Sequence, residues 1–209
     1  MIREILLTAI AIVFAYLIGS IPPAYIIGRL KKGIDIREVG SRNLGAMNVF
    51  YNVGFWYGII VLVADIGKGI FAVILSRLIG APLLGQMLAG VVSVLGHSFT
   101  VFLKFRGGKG GATCIGVLLA FMPWGAPFYL AVFGLTMLLT HFPTLSYSLA
   151  FAAFFGVAVF WYHSWQYLVF SIALLLIPII RYIPRVFEMK AKGGSWGHVV
   201  VRKSLKDRL

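Results

Sequence analysis

Long apolar runs separated by short polar segments dominate the chain. Six runs are rich in Leu, Ile, Val, Phe and Ala, and they cover residues 5–27, 53–75, 83–103, 112–140, 146–161 and 165–182. A membrane-spanning helix needs about 20 mostly apolar residues. The pattern therefore predicts an all-α polytopic membrane protein in which the polar segments connect the helices.

Prolines interrupt two of these runs. Pro22 and Pro23 lie near the end of the first run, where they are expected to kink or end the helix. The run 112–140 is broken by Pro123 and Pro127. One helix over this run gives six membrane spans, whereas two helices give seven.

The composition excludes a soluble single domain and a disordered chain. Of 209 residues, 60% are hydrophobic and 12% are charged, whereas a soluble domain carries about 25% charged residues. The mean hydropathy is +0.95. A small soluble globule has too much surface to hide this much apolar material.

Positive charge is concentrated in three places and decides between six and seven spans. The net charge is +13, and the basic clusters are Arg29, Lys31, Lys32, Arg37 and Arg42, then Lys104, Arg106 and Lys109, then the segment 181–208. Lys and Arg collect on the cytoplasmic side of membrane proteins. All three clusters share that side only with seven spans, the N-terminus outside and the C-terminus cytoplasmic. Each half of run 112–140 is short, so a re-entrant or strongly tilted helix is an open alternative there.

The same charge pattern favours a membrane surface over nucleic acid as the partner of the basic face. We expect one membrane-embedded domain over residues 1–192 and a basic cytoplasmic tail over residues 193–209. The single cysteine, Cys114, excludes an internal disulfide, and the four histidines have no metal-ligand spacing. No metal and no cofactor are predicted.

The first polar loop (residues 33–48) contains a candidate anion site. Gly40, Ser41, Asn43 and Gly45 lie close together in it. Glycines let backbone N–H groups converge on an anion, and Ser and Asn side chains add neutral donors. The alternative is an ordinary turn, because the same residue types dominate turns.

The glycine-rich loop (residues 105–113) is the second candidate. It reads Phe105-Arg106-Gly107-Gly108-Lys109-Gly110-Gly111-Ala112-Thr113 and precedes an apolar helix. Two cations beside a helix N-terminus suit a phosphate ester. The spacing does not fit a P-loop, and a flexible positive loop is the alternative.

Three ionisable residues lie inside the apolar runs. Asp65 and Lys68 are three residues apart and share one helix face. They are predicted to form an ion pair that orients the loops. His97, about two turns from the end of its run, is either a general base or a hydrogen-bonded interhelical residue. No histidine is followed by Asp five residues later, so the HxxxxD acyltransferase motif is missing, as are GxSxG and HExxH.

Together these segments resemble one family over residues 14–113. The matching motifs are Gly40-Ser41-Arg42-Asn43-Leu44-Gly45-Ala46-Met47-Asn48, then Asp65, Lys68 and Gly69, then Gly96-His97, then the glycine-rich loop. In this order and spacing they resemble the bacterial acyl-phosphate-dependent glycerol-3-phosphate acyltransferases, the PlsY family. The resemblance implies seven spans in the bacterial inner (cytoplasmic) membrane, with the motif loops in the cytoplasm.

The resemblance also implies a reaction and a set of site residues. The family moves an acyl group from acyl phosphate to the 1-hydroxyl of glycerol 3-phosphate, giving lysophosphatidate for phospholipid synthesis without CoA or metal. By resemblance Ser41, His97 and Lys109 are the catalytic candidates, with His97 a proton acceptor or an orienting group. The expected phosphate-binding residues are Ser41, Asn43, Gly45, Asn48, Arg106, Gly107, Gly108, Lys109, Gly110 and Thr113. Supporting roles are expected for Asp65, Lys68, Thr144, Ser146 and Arg181.

The chain also departs from the family pattern. Met47 stands where the family has a hydroxyl residue. Tyr51 stands where the family usually has Arg, and Arg106 where it has Lys. The segment with Tyr182 and Arg185 lacks the family's His and Asn. The tail, residues 193–209, matches no recognised part of the family pattern. Two hypotheses follow: an active acyltransferase, or a catalytically degenerate homologue that acts as a lipid-binding or accessory subunit of a larger membrane complex.

Overall fold

The computed structural model describes residues 1–193, with residues 144, 192 and 193 described by their backbone only. All regular secondary structure in this part of the chain is helical. The helices are α1 (Ile2–Ser20), α2 (Pro23–Lys32), α3 (Ala46–Asn52), α4 (Phe55–Leu78), α5 (Leu83–Ser98), a 3-10 turn (Val101–Leu103), α6 (Gly111–Phe121), α7 (Gly125–Thr140), α8 (Pro143–Ala150), α9 (Ala152–Phe160) and α10 (Trp165–Gly193). The all-α prediction is confirmed.

Apolar helical segments of two lengths make up this part of the chain. Four are long and apolar enough to cross a membrane: Ile2–Lys32, Phe55–Leu78, Leu83–Leu103 and Trp165–Ala191. Three shorter apolar helices cover Gly111–Phe121, Gly125–Thr140 and Leu145–Phe160. Many of their large apolar side chains are exposed, as expected where lipid replaces water as the solvent.

The prolines break the helices where the sequence predicts. Helix α1 ends at Ser20 and α2 begins at Pro23, so the first run contains a break at residues 21–22. The run 112–140 forms two helices, α6 and α7, separated by residues 122–124. Proline lacks an N–H and clashes with the preceding turn, so it stands at a helix start in preference to the interior.

Two features of the later helices differ from the pattern. The run 146–161 forms α8 and α9, which meet at Phe151. Helix α10 does not end near Tyr182 but continues to Gly193, with Pro178 and Pro184 inside it. Of the predicted tail, residues 193–209, residues 194–209 lie outside the described residues.

The chain divides into two compact units, Met1–Ala120 and a second unit that begins at Phe121. In the first unit α1 packs closely on α5. A Cβ on Gly19 would meet the backbone of Ser93, and a Cβ on Gly96 would meet the carbonyl of Tyr16. Small residues let membrane helices approach in this way. The assignment of residues 1–192 to one domain stays a prediction.

In the first unit α6 lies equally close to α4. A Cβ on Gly69 would meet the carbonyl of Thr113, and a Cβ on Gly116 would meet the carbonyl of Ile66. The second unit has an aromatic core, where the rings of Tyr129, Phe151 and Phe154 contact one another. The close packing of α4 on α6 fixes the helix that follows the glycine-rich loop.

Candidate active site

Asn48 organises the first polar loop. Its side chain is buried, and its Nδ2 donates hydrogen bonds to the carbonyls of Ile36, Val39 and Asn43 at 2.7, 3.1 and 3.1 Å. Its Oδ1 accepts hydrogen bonds from the backbone N–H of Ser41 at 3.2 Å and from Asn52 Nδ2 at 2.9 Å. The loop thus folds around one amide.

These contacts use both hydrogens and both acceptor sites of the Asn48 amide. The side chain of Asn48 is therefore engaged by the loop itself. Ser41 and Asn43 are half-buried on the same loop, and Gly45 is buried just before α3. The loop presents Ser41 and Asn43 while Asn48 holds their backbone in place.

Replacing Asn48 with alanine is expected to lower the free energy of unfolding by about 2–3 kcal/mol, because several buried polar groups lose their partner at once. The control is Asn52→Ala, since within residues 1–193 the Asn52 side chain donates to Asn48 at 3.0 and 2.9 Å. We expect a loss of about 1 kcal/mol in the control. Thermal unfolding in detergent measures both, and equal losses would contradict an organising role for Asn48.

An ion cluster ties the first polar loop to the segment before the glycine-rich loop. The carboxylate of Asp35 accepts hydrogen bonds from Arg37, the shortest at 2.6 Å, and lies 3.5 Å from Arg29. Arg37 Nη1 donates to the carbonyl of Leu103 at 3.5 Å. The hydrogen bonds from Arg37 lower the pKa of Asp35 to about 2. The carboxylate is therefore ionised at neutral pH and holds Arg37 in place.

The glycine-rich loop lies directly against His97 and the first polar loop. The N–H of Gly108 donates to the carbonyl of His97 at 3.0 Å. A Cβ on Gly108 would meet both His97 Nε2 and the carbonyl of Leu44, and a Cβ on Gly107 would meet the carbonyl of His97. Glycine alone permits this approach. Gly108 is thus the point where both loops and the imidazole converge.

The rest of this loop leads into α6. Gly110 has a φ of +90°, which favours glycine, and Gly111 begins the helix. Lys109 is half-buried and Arg106 is exposed. Thr113, in the first turn, is fully buried, and its Oγ1 has no hydrogen-bond partner within residues 1–193. The first turn of a helix offers backbone N–H groups to an anion.

Asp65, Lys68 and His97 form one buried cluster. Lys68 Nζ lies 2.8 Å from Asp65 Oδ1 and 2.7 Å from His97 Nδ1. It also donates to the carbonyl of Ile21 at 3.1 Å, at the break between α1 and α2. His97 Nδ1 lies 3.3 Å from Asp65 Oδ1. The predicted ion pair is present, and it reaches His97 on another helix.

The remaining predicted residues lie in the second unit. Ser146 is buried and its hydroxyl donates to the carbonyl of Phe142 at 3.0 Å. Thr144 belongs to α8 and Arg181 to α10. Arg185, at a departure from the family pattern, pairs with Glu188 at 2.6 Å. The supporting roles of Thr144, Ser146 and Arg181 stay predictions.

Sequence reasoning missed two parts of this site. It did not identify the carbonyl of Ile21 as a partner of Lys68, nor the Asp35–Arg37 cluster. A signal existed for each: two prolines predict a helix break around residues 21–22, where a backbone carbonyl is open to a side-chain donor, and Asp35 precedes Arg37 by two residues. In residues 1–193 no group of three or more His, Cys, Asp or Glu side chains could hold a metal ion.

Comparison with known proteins gives one family. The family described as "Glycerol-3-phosphate acyltransferase" matches residues 9–191. "Glycerol-3-phosphate acyltransferase 2" of Dehalococcoides mccartyi (strain ATCC BAA-2266 / KCTC 15142 / 195) is 50% identical, with 99% of this chain and 100% of the relative covered. The glycerol-3-phosphate acyltransferase of Bacillus subtilis (strain 168) is 45% identical over 84% of this chain and 89% of its own.

Two solved structures are similar to this chain and support the same family. The crystal structure of PlsY (YgiH), an integral membrane glycerol 3-phosphate acyltransferase, in its glycerol 3-phosphate form matches with a TM-score of 0.81 and 30% identity. The match covers 97% of this chain and 95% of that one. The form with lysophosphatidic acid gives a TM-score of 0.76 and 33% identity over 89% and 92% of the two chains.

The alignment with one relative extends beyond the motifs. The sequence motifs gave no family counterpart for the tail, but the Dehalococcoides relative aligns with 99% of this chain. An alignment of that length extends into residues 193–209, whereas the family model ends at residue 191. The motif match therefore underestimated the extent of the similarity, and the chain belongs to the glycerol-3-phosphate acyltransferase family.

Proposed function

We propose that this chain transfers a fatty acyl group from acyl phosphate to the 1-hydroxyl of glycerol 3-phosphate, giving lysophosphatidate and phosphate. Family membership makes it a membrane glycerol-3-phosphate acyltransferase. The observation that carries the finer proposal is the convergence of both polar loops and His97 at Gly108. Two phosphate-bearing substrates need two sets of donors in one place, and this point supplies them.

The chemistry demands little beyond positioning and charge stabilisation. An acyl phosphate is already an activated anhydride, so the protein must orient two anions and hold the attacked carbonyl. We assign anion binding to the first turn of α6, with Lys109 and Arg106 as the cations. Ser41 and Asn43 are assigned as neutral donors from the first polar loop, beside Gly45. Asn48 is assigned to shaping that loop, because its amide is engaged there.

Thr113 has a specific place in this proposal. Its buried hydroxyl, which has no hydrogen-bond partner within residues 1–193, lies in the first turn of α6. A buried hydroxyl without a partner is costly, and a bound phosphate oxygen would remove that cost. Gly107, Gly108 and Gly110 let the backbone approach the same oxygen closely. This is the part of the site we assign to phosphate.

We further propose seven membrane crossings in the bacterial inner membrane, with the N-terminus outside. Four long and three shorter apolar helical segments lie within residues 1–193. Seven crossings put every basic segment on the cytoplasmic side, as the positive-inside rule requires. Both phosphorylated substrates would then enter from the cytoplasm.

The accessory-subunit hypothesis is not favoured. A relative 50% identical over nearly the whole chain carries the name of the enzyme. The glycines that allow close approach to His97 are all in place. Asn48 makes its contacts to the carbonyls of Ile36 and Val39 in a chain that carries Met47 and Tyr51.

The test is an acyl-transfer assay with the purified full-length chain in detergent. Palmitoyl phosphate and glycerol 3-phosphate are expected to give lysophosphatidate and inorganic phosphate in equal amounts. Palmitoyl-CoA as donor, or glycerol as acceptor, is expected to give no product above background. Equal rates with palmitoyl-CoA would contradict the donor assignment. No turnover by the chain alone, with turnover restored by a co-purifying partner, would support the accessory hypothesis.

A further inference from the structure

Lys68 is a buried cation with a full set of acceptors. An ammonium group has three N–H donors and accepts nothing. Lys68 Nζ has three neighbours at hydrogen-bond distance: the Ile21 carbonyl at 3.1 Å, Asp65 Oδ1 at 2.8 Å and His97 Nδ1 at 2.7 Å. The first two atoms are acceptors only. The third N–H of Lys68 therefore faces the imidazole.

This arrangement decides the protonation of His97 Nδ1. An imidazolium loses its proton far more readily than an alkyl ammonium, so the positive charge beside Asp65 resides on Lys68. The nitrogens Lys68 Nζ and His97 Nδ1 are 2.7 Å apart. A hydrogen on Nδ1 would therefore point at a hydrogen of the ammonium group. Nδ1 must accept, and the single proton of the neutral ring then lies on Nε2.

We infer that Lys68 is a positioning residue that holds His97 in its Nε2–H form, aimed at the glycine-rich loop. A Cβ on Gly108 would meet His97 Nε2, so this nitrogen lies directly against the loop. Asp65 keeps Lys68 charged and in place, because its Oδ1 lies 2.8 Å from Lys68 Nζ. The inference rests on the proposed function for its catalytic meaning, although the tautomer itself does not.

The consequence is a choice between the two roles open to His97. A ring with Nε2–H donates a hydrogen bond and cannot take a proton at that atom. His97 therefore stabilises negative charge on a substrate oxygen at the loop, in the manner of an oxyanion-hole donor. It does not act as the proton acceptor for the attacking hydroxyl.

Nitrogen-15 NMR of the histidine side chains tests the tautomer directly, with no substrate present. The full-length protein is labelled at histidine, and a His97→Gln sample assigns the His97 signals. At neutral pH we expect Nδ1 in the range of an unprotonated ring nitrogen and Nε2 in the range of a protonated one. A protonated Nδ1 on His97 would overturn the inference.

Two variants test the part played by Lys68. In Lys68→Met the donor to Nδ1 is gone, so Asp65 is expected to accept a hydrogen bond from Nδ1–H. The tautomer should reverse, and kcat should fall on the order of 100-fold, as for a lost oxyanion donor. Lys32→Met, at an exposed lysine in the last turn of α2, is the control and should change neither.

The double variant Asp65→Asn/Lys68→Met keeps the inference testable if the single variant does not fold. It removes both charges, and the new amide can donate to Nδ1. Relative to Lys68→Met, the double variant should regain the Nε2–H form of His97 and part of the lost kcat. An unchanged tautomer in Lys68→Met would overturn the role of Lys68. The expected tautomers in a protein without acyl transfer would contradict the proposed function alone.

Discussion

Replacing Gly108 with alanine is expected to lower kcat roughly 100-fold, because a small displacement of reacting groups has an effect of that size. The added Cβ would meet His97 Nε2 and the carbonyl of Leu44 at the same time. One is a side chain held by Lys68 at 2.7 Å, and the other is backbone. Neither can move without separating the first polar loop, the glycine-rich loop and His97.

The matched control is Gly67→Ala on α4. Gly67 is exposed, and a Cβ there meets nothing within 4 Å. Alanine in a helix interior is favoured over glycine by roughly 0.5–1 kcal/mol, so this variant should unfold at an equal or higher temperature and keep its rate. Acyl transfer and thermal unfolding are measured for both. A Gly108→Ala protein with wild-type kcat would show that the close approach at Gly108 is not required.

The helical architecture could be predicted because its causes are local. Apolar runs of sufficient length predict the helices. Prolines near the end of one run and in the middle of another predict the breaks before α2 and α7. The interruption at Phe151 has no such local signal, since neither glycine nor proline stands there. The continuation of α10 through Pro178 and Pro184 runs against the usual effect of proline, and the sequence pattern ended this helix too early.

The ion pair in the candidate site could be predicted from the sequence, but its wider contacts could not. The spacing of Asp65 and Lys68 predicts an ion pair within one helix, and the pair is present. Nothing local indicates that Lys68 also reaches His97 on α5 and Ile21 before α2. Those contacts depend on how three helices pack.

Asn48 illustrates the same limit from another direction. A motif position identifies it as important, but the motif does not say whether its amide faces a substrate or the protein. The answer follows from the turn of the loop, which brings the carbonyls of Ile36, Val39 and Asn43 onto a single Nδ2. A role inferred by resemblance thus needs the fold before it can be assigned to a particular atom.

Removing the charge of Lys109 is expected to have the second large effect. If Lys109 binds a substrate phosphate, Lys109→Ala loses a charged hydrogen bond that contributes about 1.5–3 kcal/mol, or roughly a 10- to 150-fold fall in kcat/KM. Lys109→Arg keeps the charge but changes its geometry, so it should fall between alanine and wild type. Initial rates over a range of palmitoyl phosphate and glycerol 3-phosphate concentrations identify which substrate loses its partner.

Lys104→Ala separates this local effect from the general field of the basic face. Lys104 lies in the same connection, is exposed and carries the same charge. A phosphate contact at Lys109 predicts that Lys104→Ala keeps kcat/KM within about twofold, since exposed charges are screened by salt. If both variants lose activity equally, and both losses vanish at high salt, the two lysines act only by attracting anions to the membrane surface. A loss confined to Lys109→Ala that persists at high salt requires direct contact with a bound phosphate.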